Sequence, residues 1–283
     1  MSPVFRRLQA FLPKRFRSDE TIIPTVRMSG VISPSSGLRP NLNLAGVAPA
    51  LDKAFKIKEA PAVAILVNSP GGSPVQSRLI YQRVRSLAEE KEKQVLVFVE
   101  DVAASGGYMI ALAGDEIFAD PTSVVGSIGV VAAGFGFVDL IEKIGVERRV
   151  YTAGKNKVIL DPFQPKKQQD VDHLLGLQED MHEIFIDMVK ERRGDLLRED
   201  EDLFSGLFWT GRKARDFGLV DDLGDLQSVL RSKFGEDAKP RLITTERGFP
   251  FRRSGVGGVR PYISADDILS SLEERALLAR YGL

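Results

Sequence analysis

A serine in a run of small residues, two lysines beyond a glycine turn and two glycine pairs are the groups in this 283-residue chain with the means for covalent chemistry. Ser105 lies in Val102-Ala103-Ala104-Ser105-Gly106-Gly107-Tyr108, directly after the apolar run Val95-Leu96-Val97-Phe98-Val99. That placement makes it a candidate nucleophile at a strand-to-helix turn. A serine hydroxyl is a weak nucleophile until a neighbouring base takes its proton, and the usual base is histidine. His173 and His182 are the chain's two histidines. Both fall in one helical stretch, 168–193, at a spacing that sets them on opposite faces, and both read as ordinary helix residues. The run Tyr151-Thr152-Ala153-Gly154-Lys155-Asn156-Lys157-Val158 offers a lysine instead. Burial penalises the ammonium form, so a lysine drawn into a low-dielectric site becomes a neutral base near pH 7.

Acyl chemistry also needs donors aimed at a developing oxyanion. The buried-strand run Ala62-Val63-Ala64-Ile65-Leu66-Val67 ends in Asn68-Ser69-Pro70-Gly71-Gly72 and is followed by a helical pattern over 75–90. Glycines at a strand end let the backbone approach a ligand and turn its N–H groups toward charge. The same glycines also suit a plain tight connection, and Ser69, Ser73 and Ser77 beside them read as turn and helix-cap hydroxyls. Glu100 and Asp101, just before the Ser105 turn, read as loop carboxylates.

The order of these pieces resembles that of the signal peptide peptidase A (protease IV) family of serine peptidases. The resemblance rests on Asn68-Ser69-Pro70-Gly71-Gly72, Ala104-Ser105-Gly106-Gly107-Tyr108, Gly126-Ser127-Ile128-Gly129-Val130 and Gly154-Lys155-Asn156-Lys157, and spans 25–234. It implies an α/β, Clp-protease/crotonase-like fold of repeated ββα/βαβ units with a mostly helical C-terminal part. It also implies a Ser/Lys dyad with Ser105 as nucleophile and Lys157, not Lys155, as general base. Gly72 and Gly106 match the backbone donors of the family's oxyanion hole, and Ser127 matches the hydroxyl that orients the lysine. No cofactor is implied, and the substrate is an extended peptide. Rings of subunits in the family imply a homo-oligomer.

Lys plus Arg and Asp plus Glu both total 39, so the formal net charge is zero and nothing calls for nucleic acid. With no cysteine and two histidines, thiolate metal sites and disulfides are excluded and a catalytic metal is not expected. No run approaches the ~20 apolar residues of a spanning helix, and the start of the chain lacks the apolar core of a secretory signal peptide. Short family members normally begin with a membrane anchor, so this chain departs from them there. A cytoplasmic protein is expected. Val4, Phe5, Leu8, Phe11 and Leu12 on one helical face, with Arg6, Arg7, Lys14, Arg15 and Arg17, suit peripheral contact of residues 1–18 with an anionic membrane.

Three segments are expected: a basic amphipathic start, 1–20; a peptidase domain, 21–234; and a linker with a final helix, 235–283, the helix over 265–281. Within the domain the pattern predicts strands at 25–32, 62–67, 95–99, 116–119 and 148–152. Helices are predicted at 44–55, 75–90, 137–144 and 168–193, and another starting at Thr210 as N-cap. The alternation argues for parallel βαβ units. The apolar residues Leu174, Leu177, Met181, Ile184, Phe185 and Met188 on the long helix suit core or subunit contact, and residues 203–209 add apolar surface. Two other functions fit parts of this pattern. A crotonase-like acyl-CoA enzyme would use the glycine oxyanion hole with acidic catalytic residues, and a non-catalytic membrane-surface scaffold would keep only the fold.

Overall fold

The computed structural model describes residues 20–34, 41–244 and 278–282. The expectations for 1–18 and for most of the final helix lie outside these residues.

The core is a sheet whose central strands are near-continuous apolar runs, as expected where helices cover both faces. In chain order its strands are β1 (Ile22–Ser29), β2 (Ala62–Ser69), β3 (Gln94–Ala104), β4 (Glu116–Ala119), β5 (Val124–Gly126), β6 (Phe208–Thr210), β7 (Asp222–Leu223) and β8 (Lys239–Leu242). Their spatial order is β6-β5-β3-β2-β1-β8, with β4 also beside β3 and β7 beside β4. All pairings are parallel except β5 with β6. The fold is the expected α/β one.

Alternation along β2 and β3 sends side chains to two cores. Val63, Ile65, Val67, Val95, Val97 and Val99 meet Leu51, Phe55, Ile80, Val84 and Tyr108 on one face. Ala62, Ala64, Leu96 and Phe98 meet Phe118, Leu230 and Ala238 on the other. The covering helices are α1 (Leu44–Phe55), α2 (Pro74–Lys91), α3 (Gly106–Ala111), α4 (Val138–Lys143), α5 (Gln168–Arg193), α6 (Gly211–Asp216) and α7 (Leu226–Phe234). Their starts carry side-chain caps where the sequence supplies them: Asn43 accepts from the Gly46 N–H, Ser73 from Gln76, Thr210 from Lys213 and Asp225 from Gln227 and Ser228.

Three expectations are revised. Strand β3 runs on through Ala104, because Val102, Ala103 and Ala104 pair with β5 after β4 has ended. Residues 148–152 form no strand, because none of the described strands pairs with them to take their hydrogen bonds. The sheet also continues past Phe234, where β8 pairs with β1 over Ile22–Thr25.

A buried ion pair ties α5 to the sheet. Arg193, 4% exposed, donates from Nη1 and Nη2 to the Asp221 carboxylate at 2.9 and 3.1 Å and from Nε to the Gly218 carbonyl. Asp221 also accepts the Ile117 N–H of β4. This anchors the C-terminal end of the helix whose middle forms one wall of the site.

Candidate active site

Ser105 is the single residue between β3 and α3, with φ 52° and ψ −121°. That region is sparsely populated for a residue with a Cβ and costs of order 1–3 kcal/mol, a strain typical of functional turns. The turn is held because the Ser105 N–H donates to the Gly126 carbonyl at 2.8 Å and the Ser105 carbonyl accepts from Tyr108 and Met109. Tyr108 is in turn buried and donates its hydroxyl to the Leu219 carbonyl. Burial in that apolar setting raises the Tyr108 pKa well above the phenol range, so it stays a neutral donor.

The Gly71-Gly72 turn lies directly against this strand end. Ile32 donates to the Gly71 carbonyl at 2.9 Å and accepts from Ser73 at 2.7 Å. Successive amides in an extended chain point to opposite sides, so Gly72's own N–H falls outside that ladder. At φ +141°, Gly72 also sits so close to Ile32 that a Cβ would lie 2.1 Å from its carbonyl oxygen. Gly106 opens α3, and the first N–H groups of a helix have no intrahelical acceptor. Ser69, Ser73 and Ser77 are turn and cap hydroxyls, as expected: Ser69 donates to Gly30, Ser73 caps α2 and Ser77 donates to Ser73.

Ser127 has φ 54° and donates its N–H to the Leu207 carbonyl, where β5 meets the approach to β6. Ser105, Gly72, Gly106 and Ser127 line one cavity of about 520 Å³, walled by Met109, Val130, Val131, Met181 and Phe185. Among the described residues lining it there is no carboxylate. Glu100 and Asp101 are engaged elsewhere, with Arg27 at 2.9 Å and Asn68 at 2.6 Å.

The sequence signal missed two residues of this cavity. His182 lines it and makes a 3.0 Å contact from Nε2 to the Ile128 carbonyl, next to Ser127. An Nε2–H tautomer is required for that contact to be attractive. His173, on the opposite face of the helix, is exposed. Tyr281 also lines the cavity, and nothing in its sequence neighbourhood pointed there.

Lys157 is not among the residues lining the cavity. It is exposed, in a turn closed by its N–H to the Gly154 carbonyl, and Lys155 is exposed as well. Residues 130–167 pack on themselves: Phe137 stacks on Phe163 at 5.5 Å, and Arg148 lies over the Phe163 ring and pairs with Asp161 at 2.8 Å. Phe135 and Tyr151 in this segment are 81% and 90% exposed.

Residues 88–238 match the profile of peptidase family S49. The chain belongs to that family. A Synechocystis protein that bears the name "Putative protease slr0021" is 33% identical over 220 residues, covering 75% of this chain and 79% of its own length. "Serine protease SPPA, chloroplastic" of Arabidopsis thaliana is 32% identical over 258 residues, 88% of this chain and 36% of the relative. A Brucella abortus protein that bears the name of a Na(+)/H(+) antiporter is 59% identical over 286 residues. That match takes in 98% of this chain, which spans 39% of the Brucella protein's length. Among solved structures, two mutant forms of a membrane-bound stomatin-specific protease share the fold. The form in complex with a substrate peptide has a TM-score of 0.51 and 16% identity, over 91% of this chain and 99% of its own. The other form has a TM-score of 0.50 and 17% identity, over 80% of this chain and 99% of its own. Among the described residues of this S49 chain, no helix is long and apolar enough to cross a membrane.

Proposed function

We propose that this S49 chain is a serine peptidase in which Ser105 attacks the scissile carbonyl and Lys157 is the general base. The observation that carries this is the strained Ser105 turn sharing one cavity with Gly72, Gly106 and Ser127. Neutral Lys157 takes the Ser105 proton, and the N–H groups of Gly72 and Gly106 hold the tetrahedral oxyanion. Lys157 then protonates the leaving amine and activates water for deacylation. Ser127 orients the lysine. No cofactor enters.

The dyad requires Lys157 to leave its exposed turn. Residues 130–167 must fold onto the cavity of their own chain or onto that of a second copy, and their exposed aromatic and aliphatic side chains are suited to such a contact. A peptide binds extended along the free edge of Gly72 by added-strand hydrogen bonds, with apolar side chains against Met109, Val131 and Phe185. The protein acts at the cytoplasmic face of a membrane, touched by residues 1–18.

Labelling with a serine-directed fluorophosphonate tests this. Modification at Ser105, lost in Ser105→Ala and strongly slowed in Lys157→Ala, supports the peptidase. Labelling that is absent, or that persists without Ser105, overturns it.

A further inference from the structure

The turn that carries Ser127 is held from three directions. The Gly126 carbonyl accepts the Ser105 N–H at 2.8 Å, and the Ser127 N–H donates to the Leu207 carbonyl at 2.7 Å. The third tie is a side chain: His182 Nε2 lies 3.0 Å from the Ile128 carbonyl. Ile128 is 0% exposed, and among the described residues no backbone N–H donates to its carbonyl. A buried carbonyl needs a donor, and the imidazole N–H is the one that reaches it. Ser127 has φ 54°, a conformation that a residue with a Cβ keeps only where its surroundings hold it. His182 is itself firmly presented, on the face of α5 that carries the buried Phe185 and Val189. Ten residues on, about 15 Å along the helix, Arg192 reaches the chain just beyond α3. It donates from Nε to the Leu112 carbonyl at 3.0 Å and from Nη2 to the Gly114 carbonyl at 2.8 Å. One rigid helix thus grips both the element that follows Ser105 and the turn that carries Ser127.

We propose that His182 is a positioning residue, whose Nε2–H fixes the Ile128 carbonyl and so sets where the Ser127 hydroxyl stands to receive the catalytic lysine. The inference rests on the Ser105/Lys157 assignment above, in which Ser127 orients the base. His182 acts here as a donor and takes no proton from Ser105. Its Nε2 hydrogen is spent on Ile128, and an imidazolium carries hydrogens on both nitrogens, so the tie survives protonation. Loss of the donor leaves the Ile128 carbonyl buried without a partner and frees the turn. The displaced Ser127 then slows the chemical step through the lysine, because reaction depends on how closely the reacting groups are aligned.

The test uses the full chain and two readouts. The first is the rate of fluorophosphonate modification of Ser105. His182→Leu, folded by circular dichroism, should react roughly tenfold more slowly than the parent, as misplaced catalytic groups do. His182→Gln, whose side-chain amide can donate from the place of Nε2, should recover most of the rate. A double-mutant cycle separates positioning from packing. In a Ser127→Ala background, His182→Leu should change the rate by less than about twofold, because the group it positions is gone. A parental rate in His182→Leu, no recovery in His182→Gln, or a loss of equal size in the Ser127→Ala background overturns the proposal. The second readout needs neither catalysis nor a change at His182. His173→Ala leaves one histidine in the chain, and the ring nitrogen chemical shifts of His182 should then report a proton fixed on Nε2. A proton on Nδ1, or one exchanging freely between the two nitrogens, overturns the tie to Ile128. If Ser105 is unlabelled in the parent itself, the peptidase assignment fails and the positioning role falls with it, while a fixed Nε2 proton then establishes the tie alone.

Discussion

Gly71 and Ser105 are in such close contact that a methyl group on Gly71 would lie 2.9 Å from Ser105 Cβ and 2.9 Å from the Gly106 nitrogen. The glycine turn and the nucleophile turn therefore form one rigid piece. Gly71 also has φ +103°, which no L side chain adopts without strain. Gly71→Ala is expected to cost about 3 kcal/mol through left-handed strain and overpacking together. Because reacting groups shift with it, kcat for a peptide substrate should fall by about 10²-fold or more. Urea unfolding and steady-state kinetics on the purified variant check both; wild-type stability and activity would show that the two turns move independently.

Lys157→Ala should abolish peptide hydrolysis with the fold retained, whereas Lys155→Ala keeps most of it. Activity in Lys157→Ala and its loss in Lys155→Ala would mean the base is the other lysine of the turn. A His173→Ala/His182→Ala variant that stays folded should still hydrolyse peptide, although His182 lines the cavity and its packing role will slow the reaction. Initial rates with circular dichroism as the folding control decide these points.

Asp221→Ala leaves the Arg193 guanidinium buried without its carboxylate. Breaking such a pair from one side costs roughly 3–5 kcal/mol, and the partial exposure of Asp221 places this case at the low end, about 3 kcal/mol. The midpoint of urea unfolding is the measurement. A shift corresponding to under ~1 kcal/mol would show that water reaches Arg193 and replaces the pair.

The Arg148 guanidinium and the Phe163 N–H, both donating to Asp161, hold its carboxyl below the usual carboxylate range. A carboxyl lowered in the folded state stabilises above its unfolded pKa, about 3.9, and loses that contribution as pH falls through the lowered folded value. The stability gap between the parent and Asp161→Asn should therefore be constant from about pH 5 to 8 and close in acid, below about pH 4. Urea melts at stepped pH values read this directly. A gap that instead widens in acid would contradict the assignment.

Exposed apolar side chains on residues 130–167, among them Val131, Phe135, Ile144 and Tyr151, predict assembly with further copies. Light scattering at micromolar concentration should show a homo-oligomer, and Phe135→Asp with Tyr151→Asp should shift it toward monomer and slow hydrolysis in parallel. A stable monomer with full activity would exclude any need for a neighbouring chain.

The sequence by itself determined the elements with strong local signals. Helices 44–55 and 168–193 begin and end where the helical pattern placed them, because that signal acts within a turn or two of the chain. It also determined that Ser105 sits at a strand-to-helix turn, since a buried-strand run followed by small residues has few other solutions. The tertiary structure alone decided that Gly72 and Ser127 share the cavity of Ser105 and Gly106, because they reach it from different strand ends across parallel crossovers. It also decided that His182 faces that cavity while His173 faces solvent, a matter of how α5 is rotated by Phe185, Met188 and Arg193. Residues 148–152 looked like a strand because β-branched and aromatic types favour extended backbone, but a strand needs an edge to pair with, and only the packed sheet determines where edges are. Tyr281 carried no local signal at all: its contacts with Val102, Ala104 and Ser127 bridge more than 150 positions of chain. Local chemistry is written in neighbouring residues, whereas a contact made across the fold depends on the summed packing of everything between.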